Sequence, residues 1–229
     1  MTVPDSKLES KPDFAPASMS ASKRNSVTTL LPNSCAESPN LLSQFGDVRY
    51  CAGLFSKDQS DRFLRELQAD IAWKHESITI FGKRVLQPRL TAFYGDSDRE
   101  YRYSGITMKP ALWTNTLLEI KRQIEDEFAL KFNSALLNCY RNGEDSMGWH
   151  RDDEKELGKN PVIGSVSFGE TRALQFKLVE NKAIKSCVDL EHGSFLLMQG
   201  TTQHHWYHGI MKTKKVKGPR INITFRNII

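Results

Sequence analysis

His150 and Asp152 carry side chains that bind metal ions, and they stand two positions apart in the run Asn138 to Asp153, NCYRNGEDSMGWHRDD. In an extended segment such residues leave the same face, so both can converge on one ion. A pair is only half of a site. A third ligand is on offer about fifty residues on, in the run His204-His205-Trp206-Tyr207-His208, far enough away to return on a different strand. On a strand His204, Trp206 and His208 would share one face, so the spacing leaves both His204 and His208 open for the role. Two histidines and one carboxylate form the facial triad that holds non-heme Fe(II) and leaves coordination positions free for substrates. An isolated His-x-Asp pair arises often by chance and is usually a surface loop, so the reading depends on what accompanies it.

The accompaniment lies at the end of the chain. Arg220, Asn222, Thr224 and Arg226 alternate with Ile221, Ile223 and Phe225, which on a strand makes one face wholly polar and the other wholly apolar. A solvent-facing edge strand would read the same way. Asn138, Tyr140 and Asn142 repeat the alternation against Leu137 and Cys139, immediately before the metal pair, and two such faces near a metal point to a shared interior. Burying two guanidinium groups is costly unless an anion pairs with them, and arginine grips carboxylates in bidentate fashion. A small dicarboxylate would satisfy both. With Fe(II) as the metal, 2-oxoglutarate is the natural choice, since it chelates through its keto-acid end and presents its far carboxylate to an arginine.

The elements that must position these groups are legible in outline. Ser56-Lys57-Asp58-Gln59 fits a capping box, and Phe63, Leu64, Leu67 and Ile71 then recur at helical spacing. A second helix follows Pro110, with Leu117, Ile120, Ile124 and Phe128 on one stripe. Between them, Ile78-Thr79-Ile80 and Val85-Leu86 flank Phe81-Gly82-Lys83-Arg84, a β-hairpin with an aromatic and two cations at its tip. After Phe132 the chain becomes short extended runs: 135–140, 162–168, 173–179, 194–199, 205–208 and 221–225. Many short strands after two helices predict a jelly-roll core buttressed on one side.

The wider bounds agree. The 229 residues suffice for one domain with an appendage. The surplus of 32 Lys+Arg over 27 Asp+Glu, formally +5, permits a polyanionic partner without requiring one. Residues 1–40, rich in Ser, Pro, Lys and Asn, read as a disordered tail before a domain at 41–229. Cys35, Cys51, Cys139 and Cys187 form neither a zinc knot nor a disulfide framework. No apolar run approaches the roughly 20 residues that cross a bilayer. The expectation is an intracellular monomer with no membrane attachment, cytoplasmic in a prokaryote and nuclear in a eukaryote.

At these residues the chain resembles the AlkB family of Fe(II)/2-oxoglutarate-dependent dioxygenases, in its DNA-repair branch. The resemblance rests on Asn138-Cys139-Tyr140, on His150-Arg151-Asp152-Asp153-Glu154, on Ser165-Val166-Ser167-Phe168-Gly169, on Trp206-Tyr207-His208-Gly209 and on the closing run Pro219 to Arg226. It implies a mainly β fold with flanking helices, a double-stranded β-helix (jelly roll) carrying an N-terminal nucleotide-recognition lid at about 75–105. It implies His150, Asp152 and His208 as the iron ligands and catalytic centre, and so selects His208 over His204. Asn138, Tyr140, Arg220, Asn222, Thr224 and Arg226 are assigned to 2-oxoglutarate, with Arg220 on the distal carboxylate.

Family members of this kind dealkylate N-alkylated bases such as 1-methyladenine and 3-methylcytosine in DNA, consuming 2-oxoglutarate and O2 and releasing formaldehyde. A target base must leave the duplex to be reached. An apolar wedge at Phe81-Gly82, with the Lys83 cation beside it, has the chemistry to enter the vacated stack. The resemblance further places Tyr94, Gly95, Asp96, Asp153 and Glu154 toward the substrate. Lys212, Lys214, Lys215 and Lys217 form a basic loop suited to phosphate. The alternatives are an RNA demethylase, or a nucleic-acid-binding module that has lost activity on the same fold. Against the latter, no ligand or 2-oxoglutarate residue is missing.

Overall fold

The computed structural model describes residues 35–80, 83–97, 101–103, 106–215 and 217–229. The expected tail up to residue 34 and the hairpin tip Phe81-Gly82 lie outside the described residues. In chain order the elements are β1 (Asp47–Cys51), α1 (Lys57–Asp70), β2 (Ser77–Ile80), β3 (Lys83–Leu86), β4 (Leu90–Gly95), β5 (Tyr101–Tyr103), β6 (Ile106–Met108) and α2 (Asn115–Phe128). There follow β7 (Ser134–Tyr140), β8 (Met147–His150), β9 (Ile163–Gly169), β10 (Arg172–Leu178), β11 (Lys185–Leu190), β12 (Ser194–Gln199), the short helix α3 (Thr202–His205), β13 (Trp206–Ile210) and β14 (Arg220–Arg226). Single 3-10 turns occur at Cys35–Glu37 and Lys155–Leu157.

Both long helices start where their capping residues place them. The Ser56 hydroxyl accepts the Gln59 N–H while the Gln59 side chain accepts the Ser56 N–H, a reciprocal box. Thr114 caps α2 by accepting the Leu117 N–H. The apolar stripes then face one way: Phe63, Leu67 and Ile71 from the first helix region, and Leu117, Ile120 and Ile124 from α2, are all buried in one cluster.

Six strands form an antiparallel sheet in the order β1-β12-β9-β14-β7-β4, and four form a second in the order β11-β10-β13-β8. The pairs β2-β3 and β5-β6 stand apart as two-stranded ribbons, and Ile80 pairs with Lys83 in the register of the first. This is the jelly roll expected from the run of short strands. The outer face of the large sheet, including Ile221, Ile223 and Phe225, packs under α1 and α2. Its inner face meets the small sheet over a second cluster that includes Leu136, Phe176, Met198 and Trp206. Strand β14 therefore separates two interiors, and its polar face is turned inward rather than to solvent.

Strands β1, β4, β5, β6, β8 and β11 were not among the expected runs. β11 alternates exposed and half-buried positions until Leu190 and lies at an edge, so its apolar signal is weak. The expected strand over 205–208 begins one residue later, because His204 and His205 close α3. Cys35 and Cys51 are joined as a disulfide, with Cα atoms 5.3 Å apart, a pairing that scattered cysteines did not suggest. Among the described residues no helix is long and apolar enough to cross a membrane.

Two outcomes follow for stability. Ile223, fully buried between β7 and β9, should cost about 2–5 kcal/mol when replaced by Ala, read as a lower midpoint in chemical denaturation. Glu125 is buried near the end of α2, where it accepts the Phe132 N–H at 2.7 Å and pairs with Lys121 at 2.8 Å. Burial pushes its carboxyl upward, but Lys121 and the Phe132 N–H outweigh this and hold it below the ordinary value. A carboxyl so held stabilises the fold where it is ionised. Glu125→Gln should therefore lower the melting temperature at pH 7, with the deficit shrinking as pH falls below about 4.3.

Candidate active site

His150 ends β8 and His208 lies in the middle of β13, and the two strands pair with these residues directly opposite. That register brings the imidazole centroids to 4.2 Å. Asp152 follows β8 by two residues and turns inward, 1% exposed. Its Oδ1 lies 3.8 Å from His150 Nε2 and its Oδ2 3.9 Å from His208 Nε2. One ligand atom from each of the three falls within 4.8 Å of the others, a spacing that suits a single ion between them.

The protonation states suit a cation too. His150 Nδ1 lies 2.9 Å from the Gly148 carbonyl, which can only accept, so the proton sits on Nδ1 and Nε2 keeps its lone pair. Burial pushes the His150 pKa down, and burial together with neighbouring His150 drives that of His208 down to about 3. Burial pushes the Asp152 carboxyl upward, yet Arg226 and the two imidazoles prevail and hold it below its usual range. The cluster thus offers two neutral imidazoles and one carboxylate. The Asp152 backbone N–H donates to Gln203 Oε1 at 3.0 Å, and its Oδ1 accepts from Arg226 Nη2 at 3.0 Å.

The backbone sets His204 and His208 apart. His204 belongs to α3, not to the strand, so the shared face expected from alternation does not exist. Its Nε2 meets Asn160 Oδ1 at 2.8 Å, and His205 Nδ1 meets Glu180 at 2.8 Å. Both are satisfied away from the cluster.

The polar face of β14 completes the cavity. Register places Arg220 opposite Tyr140 and Asn222 opposite Asn138 on one side, with Asn222 opposite Ser167 and Thr224 opposite Ser165 on the other. Asn138, Tyr140, Arg220, Asn222, Thr224 and Arg226 line the same cavity as His150, Asp152 and His208, with Leu136, Met147, Leu174 and Met198 among the apolar walls. Asn222 donates to Ser165 Oγ and Val166 O, and Thr224 donates to Asn222 Oδ1.

The two arginines part company here. Arg226 pairs with an anion inside the protein, Asp152. Arg220 is 2% exposed and donates through Nη2 to Ser167 Oγ at 2.9 Å, while its Nε and Nη1 have no hydrogen-bond partner. A buried guanidinium with open N–H groups is costly without an anion, so the donor set fits a carboxylate entering the cavity.

The expected substrate residues fare unevenly. Lys83 opens β3, and Phe81 and Gly82 lie outside the described residues. Tyr94 does not reach the cavity: Ala92 and Tyr94 share the face of Ala135 and Leu137, beneath the helices, and the Tyr94 hydroxyl accepts the Ala72 N–H. Gly95 sits with its backbone against Asn133, too close for a side chain, and exposed Asp96 accepts from Trp113 Nε1. Asp153 is exposed and pairs with Arg151 at 2.7 Å, and half-buried Glu154 leads into the 3-10 turn that follows. The sequence reading missed Gln203, a lone amide in a helical turn, and buried Arg89, whose Nε donates to Asn138 Oδ1 at 2.6 Å. Neither belongs to an alternating run, so no periodicity marked them.

Comparison with known proteins agrees with this geometry. Residues 47–226 match the 2OG-Fe(II) oxygenase superfamily. The alpha-ketoglutarate-dependent dioxygenase alkB homolog 3 of Bos taurus is 40% identical over 190 residues, covering 79% of this chain and 66% of its own length. The DNA oxidative demethylase ALKBH2 of Homo sapiens is 36% identical over 186 residues, covering 77% of this chain and 71% of its own length. The solved structure of OsALKBH1 superposes with a TM-score of 0.60 at 19% identity, over 82% of this chain and 100% of that one, which speaks to the fold. The chain therefore belongs to the AlkB family within the 2OG-Fe(II) oxygenase superfamily, dioxygenases that use Fe(II), 2-oxoglutarate and O2.

Proposed function

We propose that this protein removes N-alkyl groups, of the 1-methyladenine and 3-methylcytosine type, from bases in DNA. The observation that carries the reading is a single cavity lined at once by the His150-Asp152-His208 cluster and by Arg220 with its open N–H groups. The match to relatives named DNA oxidative demethylase supports the choice of substrate.

In this reading His150, Asp152 and His208 hold Fe(II), and Arg220, assisted by Asn138, Tyr140, Asn222 and Thr224, holds 2-oxoglutarate. When bound, this pair with O2 supplies the oxidation that hydroxylates the N-alkyl carbon, giving succinate and CO2, and releasing formaldehyde when the group is methyl. The chain's own contribution is geometric and electrostatic. Gly148 orients the His150 ring, and Gln203 and Arg226 hold Asp152 by its backbone and by its carboxylate. The apolar walls formed by Leu136, Met147, Leu174 and Met198 keep water away from the reacting centre. A base stacked in a duplex cannot enter a cavity between two sheets, so the nucleotide is flipped or taken from single strand. Phe81 is the residue we assign to filling the vacated stack, with Lys83, Asp153 and Glu154 at the substrate side.

Purified protein with Fe(II), ascorbate and 2-oxoglutarate should release formaldehyde from a 1-methyladenine oligonucleotide, and His150→Ala should abolish it. No turnover on duplex DNA, single-stranded DNA or RNA would sink the reading, and turnover on RNA alone would move the substrate to RNA. Arg220→Lys should raise the KM for 2-oxoglutarate about 10- to 100-fold, the loss of one charge-assisted pair of hydrogen bonds. Phe81→Ala should slow duplex repair more than single-strand repair, and an equal loss on both would discard the wedge.

A further inference from the structure

A buried arginine with no part in the function just proposed stands beside the cavity. Arg172, the first residue of β10, is 4% exposed. Its guanidinium donates to three backbone carbonyls, through Nη1 to Asn142 at 3.0 Å and through Nη2 to Asp145 at 3.0 Å and Met211 at 2.9 Å. The first two carbonyls belong to the connection from β7 to β8, which leads to His150, and the third directly follows β13, which carries His208. The planar fork of donors serves three such acceptors at once from two nitrogens. The two connections are also joined backbone to backbone: the Thr213 N–H donates to Gly143 O at 2.9 Å, and a Cβ on Gly143 would stand 2.5 Å from Thr213 O.

The same guanidinium lies over the Tyr140 ring at 5.7 Å, and Arg220 lies over that ring at 5.1 Å. Both distances are within cation–π range. All hydrogen bonds of Arg172 go to neutral carbonyls, and among the described residues it has no carboxylate within ion-pair distance. Two buried cations therefore share one aromatic ring, beside the cavity wall where Arg220 keeps two N–H groups open.

We propose that Arg172 is a positioning residue for the carboxylate end of the 2-oxoglutarate site. It ties the two connections together and seats Tyr140 against Arg220, so that the open N–H groups of Arg220 stay aimed into the cavity. This rests on the assignment of Arg220 to the co-substrate made above. The role is local. Asp152 is held by Arg226, six residues from Arg220 at the other end of β14, so metal affinity is independent of Arg172.

The test uses the full chain loaded with Mn(II), as wild type, Arg172→Lys, Arg172→Gln, Arg220→Lys and the Arg172→Lys/Arg220→Lys double variant. Calorimetric titration gives the Kd for 2-oxoglutarate, a separate titration gives Mn(II) affinity, and melting reports the fold. Arg172→Lys should weaken 2-oxoglutarate about 10-fold, leave Mn(II) affinity within about twofold, and add less than its own single effect on top of Arg220→Lys, because both act on one carboxylate. If Arg220→Lys leaves 2-oxoglutarate affinity unchanged, the underlying assignment fails. If Arg220→Lys weakens it while both Arg172 variants do not, the inference alone fails. Mn(II) affinity falling in step with 2-oxoglutarate, or neither Arg172 variant folding, also overturns it, since Arg172 would then serve the scaffold as a whole.

Discussion

A carboxylate buried to 1% exposure, that of Asp152, is the constraint around which the interior is built. Taking such a charge out of water costs several kcal/mol unless its surroundings replace the lost hydration. They do so with parts drawn from distant places. Arg226 comes from the last strand, Gln203 from α3, and the His150 and His208 rings from two paired strands of the small sheet. Each compensating group is useful only if its element is in register, so the large sheet, the small sheet and the short helix between β12 and β13 are all committed to one position. The metal pair in the middle of the chain is complete only when the end of the chain has folded beside it.

Strand β14 makes this possible because it belongs to two interiors. Its apolar face lies under the helices and its polar face looks into the cavity, so neither side is available to solvent. An inward polar face is a liability in a β-sandwich unless every group has a partner. Asn222 and Thr224 are satisfied by Ser165, Val166 and each other, and Arg226 has Asp152. Arg220 keeps open donors on this wall, where an external carboxylate would fit.

Most of this was legible because it is periodic. The alternation of residues 220–226, the capping box at Ser56 and the stripe of Leu117, Ile120 and Ile124 each repeat with the period of their element, and each was found where expected. The separation of His150 from Asp152 is periodic as well. What escaped is what periodicity does not encode. A run of histidines cannot show that α3 interrupts the strand at His205, and a lone Gln203 or Arg89 has no pattern to betray it. Tyr94 was assigned by resemblance, not by periodicity, and its parity on β4 sends it with Ala92 into the helix-side core. Side-chain parity depends on the partner strand, and that partner, β7, lies about forty residues further along.

The charges that line the cavity explain why metal and co-substrate belong together. The lining holds one carboxylate, two guanidinium groups and two imidazoles kept neutral by burial, leaving an excess of a single positive charge. A divalent cation alone would triple that excess in a region of low dielectric, and a dicarboxylate alone would reverse its sign. Bound together they leave it as it was. Each therefore improves the affinity of the other, and by the reciprocity of binding free energies the gain is equal in both directions. Arg220 and Asp152 sit at the two ends of this balance, which is why a fold that must bury both also brings the metal and its co-substrate to one place.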